Sequence, residues 1–223
     1  MGWQRLIAFA ALVAATLPAA AAAPAPDVDA LITYETRQVT AAGVTRTERW
    51  QERSVRRGDT VWTERVLPSG AGALRANDSA AEHAGHKHFD FDSAARLVQR
   101  EANGQLRLRF VDREHRVVVS VPAAEFGAVG FDGNWEAAAF VVPPAVIARM
   151  GAARDGWLRE QANGWSHRVR WSEVRQLPVQ LESQRDDGSI RRVVTITPAT
   201  PAKALPWAGL ADYTQKEYDD FMD

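Results

Sequence analysis

The stretch WSHRVRWSEVRQLPVQLESQRDDGSIRRVVTIT, residues 165–197, decides the fold. Trp165–Val174, Leu177–Gln184 and Ser189–Thr197 are short runs rich in β-branched and aromatic residues, the signature of strands. Asp187-Gly188 sits between the last two, and such a pair tolerates the positive φ that a two-residue hairpin turn demands. Asn163-Gly164 repeats the signal upstream, joining Gly156–Gln161 to Trp165–Val174. Four consecutive antiparallel strands are therefore predicted from residue 156 to residue 197.

The same grammar extends towards the N-terminus. Leu31–Val39 (LITYETRQV) and Val44–Val55 (VTRTERWQERSV) flank a turn at Ala41-Ala42-Gly43. Arg56-Arg57-Gly58-Asp59 then turns the chain into Thr60–Leu67 (TVWTERVL). Asn103-Gly104 predicts a hairpin between Ala95–Glu101 and Gln105–Val111, with Ser93–Arg100 readable as strand or short helix. Asp112–Glu114 forms a turn before His115–Val121. Pro68 to Glu82 is small and polar and lacks apolar periodicity, so it reads as a loop.

Helical signals are few. Pro143-Pro144 opens Ala145–Met150 with proline at the first turn, and Gly151 closes it, predicting a helix over Pro144–Met150. Gly127–Trp135 (GAVGFDGNW) reads as a bend. Leu210–Met222 places Tyr213, Glu217 and Tyr218 at helical spacing, which predicts a short docking helix or a frayed acidic end. The fold class is mainly β: a single strongly curved antiparallel sheet, a half-barrel, with two or three short helices and the Pro144–Met150 helix on its concave side. The predicted organisation is a signal peptide over 1–23, a β domain over 24–200 and a tail over 201–223.

The run Trp171-Ser172-Glu173-Val174, Leu177-Pro178-Val179-Gln180-Leu181-Glu182, Asp187-Gly188 and Arg192-Val193-Val194 is similar to the strand, Leu-Pro, strand, Asp-Gly, strand pattern of the periplasmic lipoprotein carriers, the LolA/LolB-like superfamily. The resemblance covers about thirty residues. It implies the half-barrel architecture and no catalytic residues.

The first 23 residues indicate where the protein works. Arg5 precedes the apolar run Leu6 to Leu17, Pro18 breaks it, and Ala19 to Ala23 offer small-residue cleavage sites, which is the layout of a secretory signal peptide. About 12 apolar residues fall short of the roughly 20 that span a bilayer. A periplasmic location is expected, with no membrane-spanning segment after cleavage. The chain has no cysteine, which excludes disulfides, thiol catalysis and cysteine zinc sites. Its formal charge of −1 argues against nucleic acid as a partner. Of the 27 basic residues only Lys87, Lys203 and Lys216 are lysines.

No G-x-S-x-G, H-E-x-x-H or S-x-x-K motif occurs, so no enzyme is expected. Ser166 and His167, adjacent on a strand, point to opposite faces. Instead, the aromatics nominate a face for a lipid-like ligand or a partner protein, with Trp50, Trp62, Phe131 and Trp135 as its residues. The rival reading is a copper or zinc site. If His86–Asp92 (HKHFDFD) is extended, His86, His88 and Asp90 share one face, and His83 approaches from the loop. Imidazoles with a carboxylate suit either metal, and no other cofactor is indicated. On that reading, calorimetric titration with Cu²⁺ or Zn²⁺ gives binding that a His86→Ala/His88→Ala variant loses. Affinity also falls below about pH 6, where imidazole takes up its proton.

Overall fold

The computed structural model describes residues 26–67, 89–152 and 155–221. The strands are β1 (Val28–Val39), β2 (Thr45–Arg57), β3 (Thr60–Val66), β4 (Ala95–Arg100), β5 (Leu106–Asp112), β6 (Val117–Val121), β7 (Gly151–Ala152), β8 (Leu158–Ala162), β9 (Trp165–Ser172), β10 (Leu177–Arg185), β11 (Ile190–Pro198) and β12 (Thr214–Glu217). Two helices, α1 (Trp135–Phe140) and α2 (Pro144–Arg149), lie between β6 and β7. All the strands join one sheet in the order β12-β6-β5-β4-β3-β2-β1-β11-β10-β9-β8-β7. Every pairing is antiparallel except that of β12 with β6. The mainly β, single-sheet expectation holds. The turn at Asn163-Gly164 shows why the hairpin signal worked: both residues have positive φ, 53° and 75°, as a two-residue turn matched to strand twist requires.

Alternation sorts the side chains onto two faces. On the helix face, Val61, Val98, Leu108, Phe110 and Val121 pack under Trp135, Ala139 and Phe140 of α1 and under Phe126 and Phe131 of the preceding turns. Val169 packs beneath Ile147 of α2 and Met150. On the outer face, Val55, Trp62, Ala95, Leu97, Val111 and Val118 pack under Leu210, with Trp207 and Tyr213 alongside. Half of the sheet is thus covered on both sides, which explains how a chain without disulfides acquires a sizeable core.

Three expectations give way to the structure. Phe89–Asp92 is not a strand: Asp90 Oδ1 accepts from the backbone N–H groups of Asp92 and Ser93 at 3.1 and 3.2 Å, closing a side-chain turn. The alternation of polar and aromatic residues there is outweighed by this local bond. Helix α1 begins at Trp135, where only a bend was expected. Asn134 caps it by accepting from Ala137 N at 3.1 Å. The tail, expected as a short docking helix or a frayed acidic end, carries strand β12 between 3₁₀ turns at Leu210–Asp212 and Tyr218–Phe221, with Thr214 beside Val117 and Glu217 beside Ser120. Its aromatic spacing serves two covers: Tyr213 lies over the outer face and Tyr218 in the helix-face core.

Arg56 ties these layers together. It is 1% exposed, without a carboxylate partner among the described residues, and its guanidinium donates to three backbone carbonyls. These belong to Pro26 (2.9 Å), Ala139 in α1 (2.5 Å) and Arg175 in the β9–β10 turn (2.7 Å). Its charge also sits 4.8 Å from the centre of the Phe140 ring. Burial lowers its pKa to about 10, against the pull of Asp27, so it remains charged at neutral pH. Arg56→Ala leaves three carbonyls without this donor, at about 1 kcal/mol or more each, an expected loss of roughly 3 kcal/mol. The denaturation midpoint should fall with the slope unchanged. Arg56→Lys should fail to rescue it, because one ammonium cannot reproduce the planar fork.

Candidate ligand-binding face

Register aligns one apolar row across six strands of the helix face: Trp50, Tyr34, Val194, Leu181, Val169 and Leu158. Five inter-strand gaps of about 4.8 Å make the row roughly 24 Å long. The covering by α2 buries Val169, while the other five are half-buried. At one end Tyr34 and Trp50 stack with ring centres 5.1 Å apart and planes 13° from parallel. The Arg65 guanidinium lies 5.9 Å from the Trp50 ring centre. Burial pushes the Tyr34 hydroxyl pKa well up, and the charge and hydrogen bond of Glu52 reinforce the shift against Arg96.

A polar row runs directly beside it: Glu48, Thr36, Arg192, Ser183, His167 and Glu160. His167 Nδ1 is 2.8 Å from Ser183 Oγ, its ring stacks on Trp165, and Arg192 covers that indole from 5.0 Å. The histidine–serine pair has the spacing of a base and a nucleophile. However, Ser183 is only 8% exposed and lies on β10, which is paired on both sides. The ladder uses the local backbone N–H groups, so none converge to stabilise an oxyanion. The contact therefore reads as a cross-strand hydrogen bond that holds the register of β9 and β10.

The four nominated aromatics separate. Trp50 is on the row. Trp62 pairs with Val55, two residues that belong to the outer face, and at 0% exposure it is a core side chain. Phe131 and Trp135 are buried in the helix-face core, roofed by Arg96 and Arg100 respectively. Tyr34, Val194, Leu181 and Leu158 were not nominated. Their signal was available in the turn positions, since Tyr34 and Trp50 are equidistant from the centre of the first turn. Leu181 and Val194 flank Asp187-Gly188 symmetrically, as Leu158 and Val169 flank Asn163-Gly164. His83, His86 and His88 lie outside the described residues, as does the expected signal segment. Asp90 is described, and its carboxylate accepts from Asp92, Ser93 N and Ser93 Oγ, which ties it to the turn.

No family model matches the chain, and no curated protein does. Solved structures similar to it include PNGF-II, at 15% identity and a TM-score of 0.35 over 88% of this chain and 32% of that one. The chain thus spans about a third of that structure. It is similar to a putative outer membrane lipoprotein-sorting protein domain from Vibrio parahaemolyticus, at 10% identity and a TM-score of 0.33, covering 83% of this chain and 90% of that one. A LolA superfamily protein from Nitrosomonas europaea is similar at 11% identity and a TM-score of 0.22, over 81% and 89% of the two chains. Among the described residues, no helix is long and apolar enough to cross a membrane.

Burial pushes the His167 pKa below its usual value; Glu160 opposes the shift and Arg192 adds to it. A lowered folded pKa means that His167 supports the fold above its unfolded pKa of about 6.5. That support is lost as pH falls through the folded value. The His167 ring resonances, followed by NMR, should titrate with a midpoint below about 6.5, and His167→Asn should flatten the loss of stability through that window.

Proposed function

We propose that this chain is an exported, non-enzymatic binding protein that lays a lipid-like ligand along the row from Trp50 to Leu158. The single observation that carries the reading is the continuity of that row. Six apolar side chains meet across six strands, five of them retain solvent exposure, and a fully polar row borders them. An amphiphile matches this division, with its chain on the apolar row and its head towards Thr36, Arg192 and His167. The row also has the length for it. A bilayer core of about 30 Å holds two leaflets, so one acyl chain reaches about 15 Å, well within the roughly 24 Å available. The N-terminal segment led by Arg5 supports export to the periplasm, where such a ligand could be carried between membranes.

Fatty acids brominated along the chain should quench tryptophan fluorescence through Trp50. Trp50→Ala should remove that quenching and weaken binding about tenfold or more, the effect of losing one large buried apolar contact. Val194→Glu should weaken binding similarly by placing a charge in mid-row. Undiminished binding by both variants would exclude this face. In that case, co-purification of a partner protein whose retention depends on Trp50 would favour the partner alternative.

A further inference from the structure

The outer face of strands β8 to β11 carries a solvent-open cleft of about 720 Å³, on the side of the sheet opposite α2. Its volume lies within the roughly 300–1,000 Å³ of small-molecule sites, yet its lining is polar. Arg159, Arg168 and Glu182 meet in one cross-strand row, and Gln161, Ser166, Gln184 and Arg191 in the next. At the base of the cleft Glu182, 9% exposed, accepts from Arg168 at 2.8 Å and Arg191 at 3.0 Å through one carboxylate oxygen. Its other oxygen accepts from Gln180 at 3.0 Å. Burial pushes the Glu182 carboxyl up, but the hydrogen bonds and charges of the two arginines outweigh this and hold it below its usual pKa.

One buried carboxylate therefore anchors two guanidinium groups that are about half exposed, at 43% and 51%. Each guanidinium has five N–H donors, so the single bond to Glu182 leaves others to face the cleft. Arg168 is further fixed by stacking 4.5 Å from the centre of the Trp157 ring. Arg159 stands beside them and, among the described residues, pairs with the exposed Asp155 in a contact that solvent screens. Arg159, Arg168 and Arg191 stand against the Glu182 and Glu160 carboxylates of the lining, and an anion that displaces the exchangeable Asp155 takes its place beside Arg159. The orientation of the three arginines is largely set before any ligand arrives.

We propose that this cleft is a second binding site, for a small polyhydroxylated anion whose carboxylate or phosphate is gripped by Arg159, Arg168 and Arg191. Gln161 and Gln184 meet its hydroxyl groups. Bidentate guanidinium bonds suit both oxyanions, and the amide side chains supply donors and acceptors for a saccharide body. The three arginines and two glutamines belong to neither row of the other face, although Glu160, His167 and Ser183 of its polar row also border the cleft.

The test is calorimetric titration of the purified protein with glucuronate, glucose 6-phosphate, inorganic phosphate and glucose. Tighter binding of glucuronate identifies a carboxylated ligand, and tighter binding of glucose 6-phosphate a phosphorylated one. In either case glucose should be silent and inorganic phosphate weaker. Arg159→Ala and Arg191→Ala should each weaken binding about tenfold or more, while Trp50→Ala leaves it unchanged. Arg159 makes only a surface pair, so its variant should keep the wild-type melting temperature and remains decisive if Arg191→Ala unfolds. Heats indistinguishable from dilution for all four probes, or equal affinity in the wild type and Arg159→Ala, overturn the proposal.

Discussion

The buried guanidinium of Arg56 is the constraint on which the rest of the molecule depends. It sits at the end of β2 and reaches three segments far apart in sequence: the residues before β1, helix α1 and the β9–β10 turn. Each of those carbonyls is at an end or a turn where no ladder can satisfy it. An apolar side chain would fill the space but leave the carbonyls unpaired in a dry interior. The arrangement fixes α1 over the helix face, and α1 in turn roofs the core that Val61, Val98 and Phe110 supply. Its neighbour Arg57 does similar work on the outer side, pairing with Asp29 and donating to Val28 O at 3.0 Å.

Arginine recurs as the cover for aromatic rings. Arg65 lies over Trp50, Arg96 over Phe131, Arg100 over Trp135, Arg113 over Trp62 and Arg116 over Tyr213. The number of arginines alone does not account for their placement on ring faces. A planar, weakly hydrated guanidinium covers an indole while keeping its N–H edge for water or carbonyls, and lysine has no such geometry. The consequence for recognition is selective. Phe131, Trp135 and Trp62 are both capped and buried, whereas the Tyr34–Trp50 pair at the end of the apolar row, with Arg65 over Trp50, stays half-buried.

Much of this was legible in the chain wherever information is local. Asn163-Gly164 and Asp187-Gly188 sit at the centres of their hairpins, and a turn centre fixes every cross-strand pair around it. The opposite orientation of Trp62 and Trp50 follows from the same rule, because Trp62 pairs with Val55, an odd number of residues from Trp50. What was not legible is the pairing of β1 with β11, which no turn encodes, and the apolar row exists only once those strands meet. Strand β12 was not legible for a related reason: four exposed residues, Thr214–Glu217, carry no strand signal of their own, and the edge backbone of β6 recruits them. At Asp90 a single side-chain turn defeated a clean alternation.

The β1–β11 seam sets the order of events in time. Gln38 lies beside Ile190 and Ala30 beside Pro198, so the central strand waits for a partner that emerges some hundred and fifty residues later. The β6–β12 edge is completed later still. Such long-range closure slows folding, since loop entropy must be overcome before the contacts reward it. A chain that cannot close this seam until nearly all of it is present leaves one edge of β1 unpaired while it is incomplete. The topology that lines up the row from Trp50 to Leu158 thereby also postpones that row until the late strands arrive.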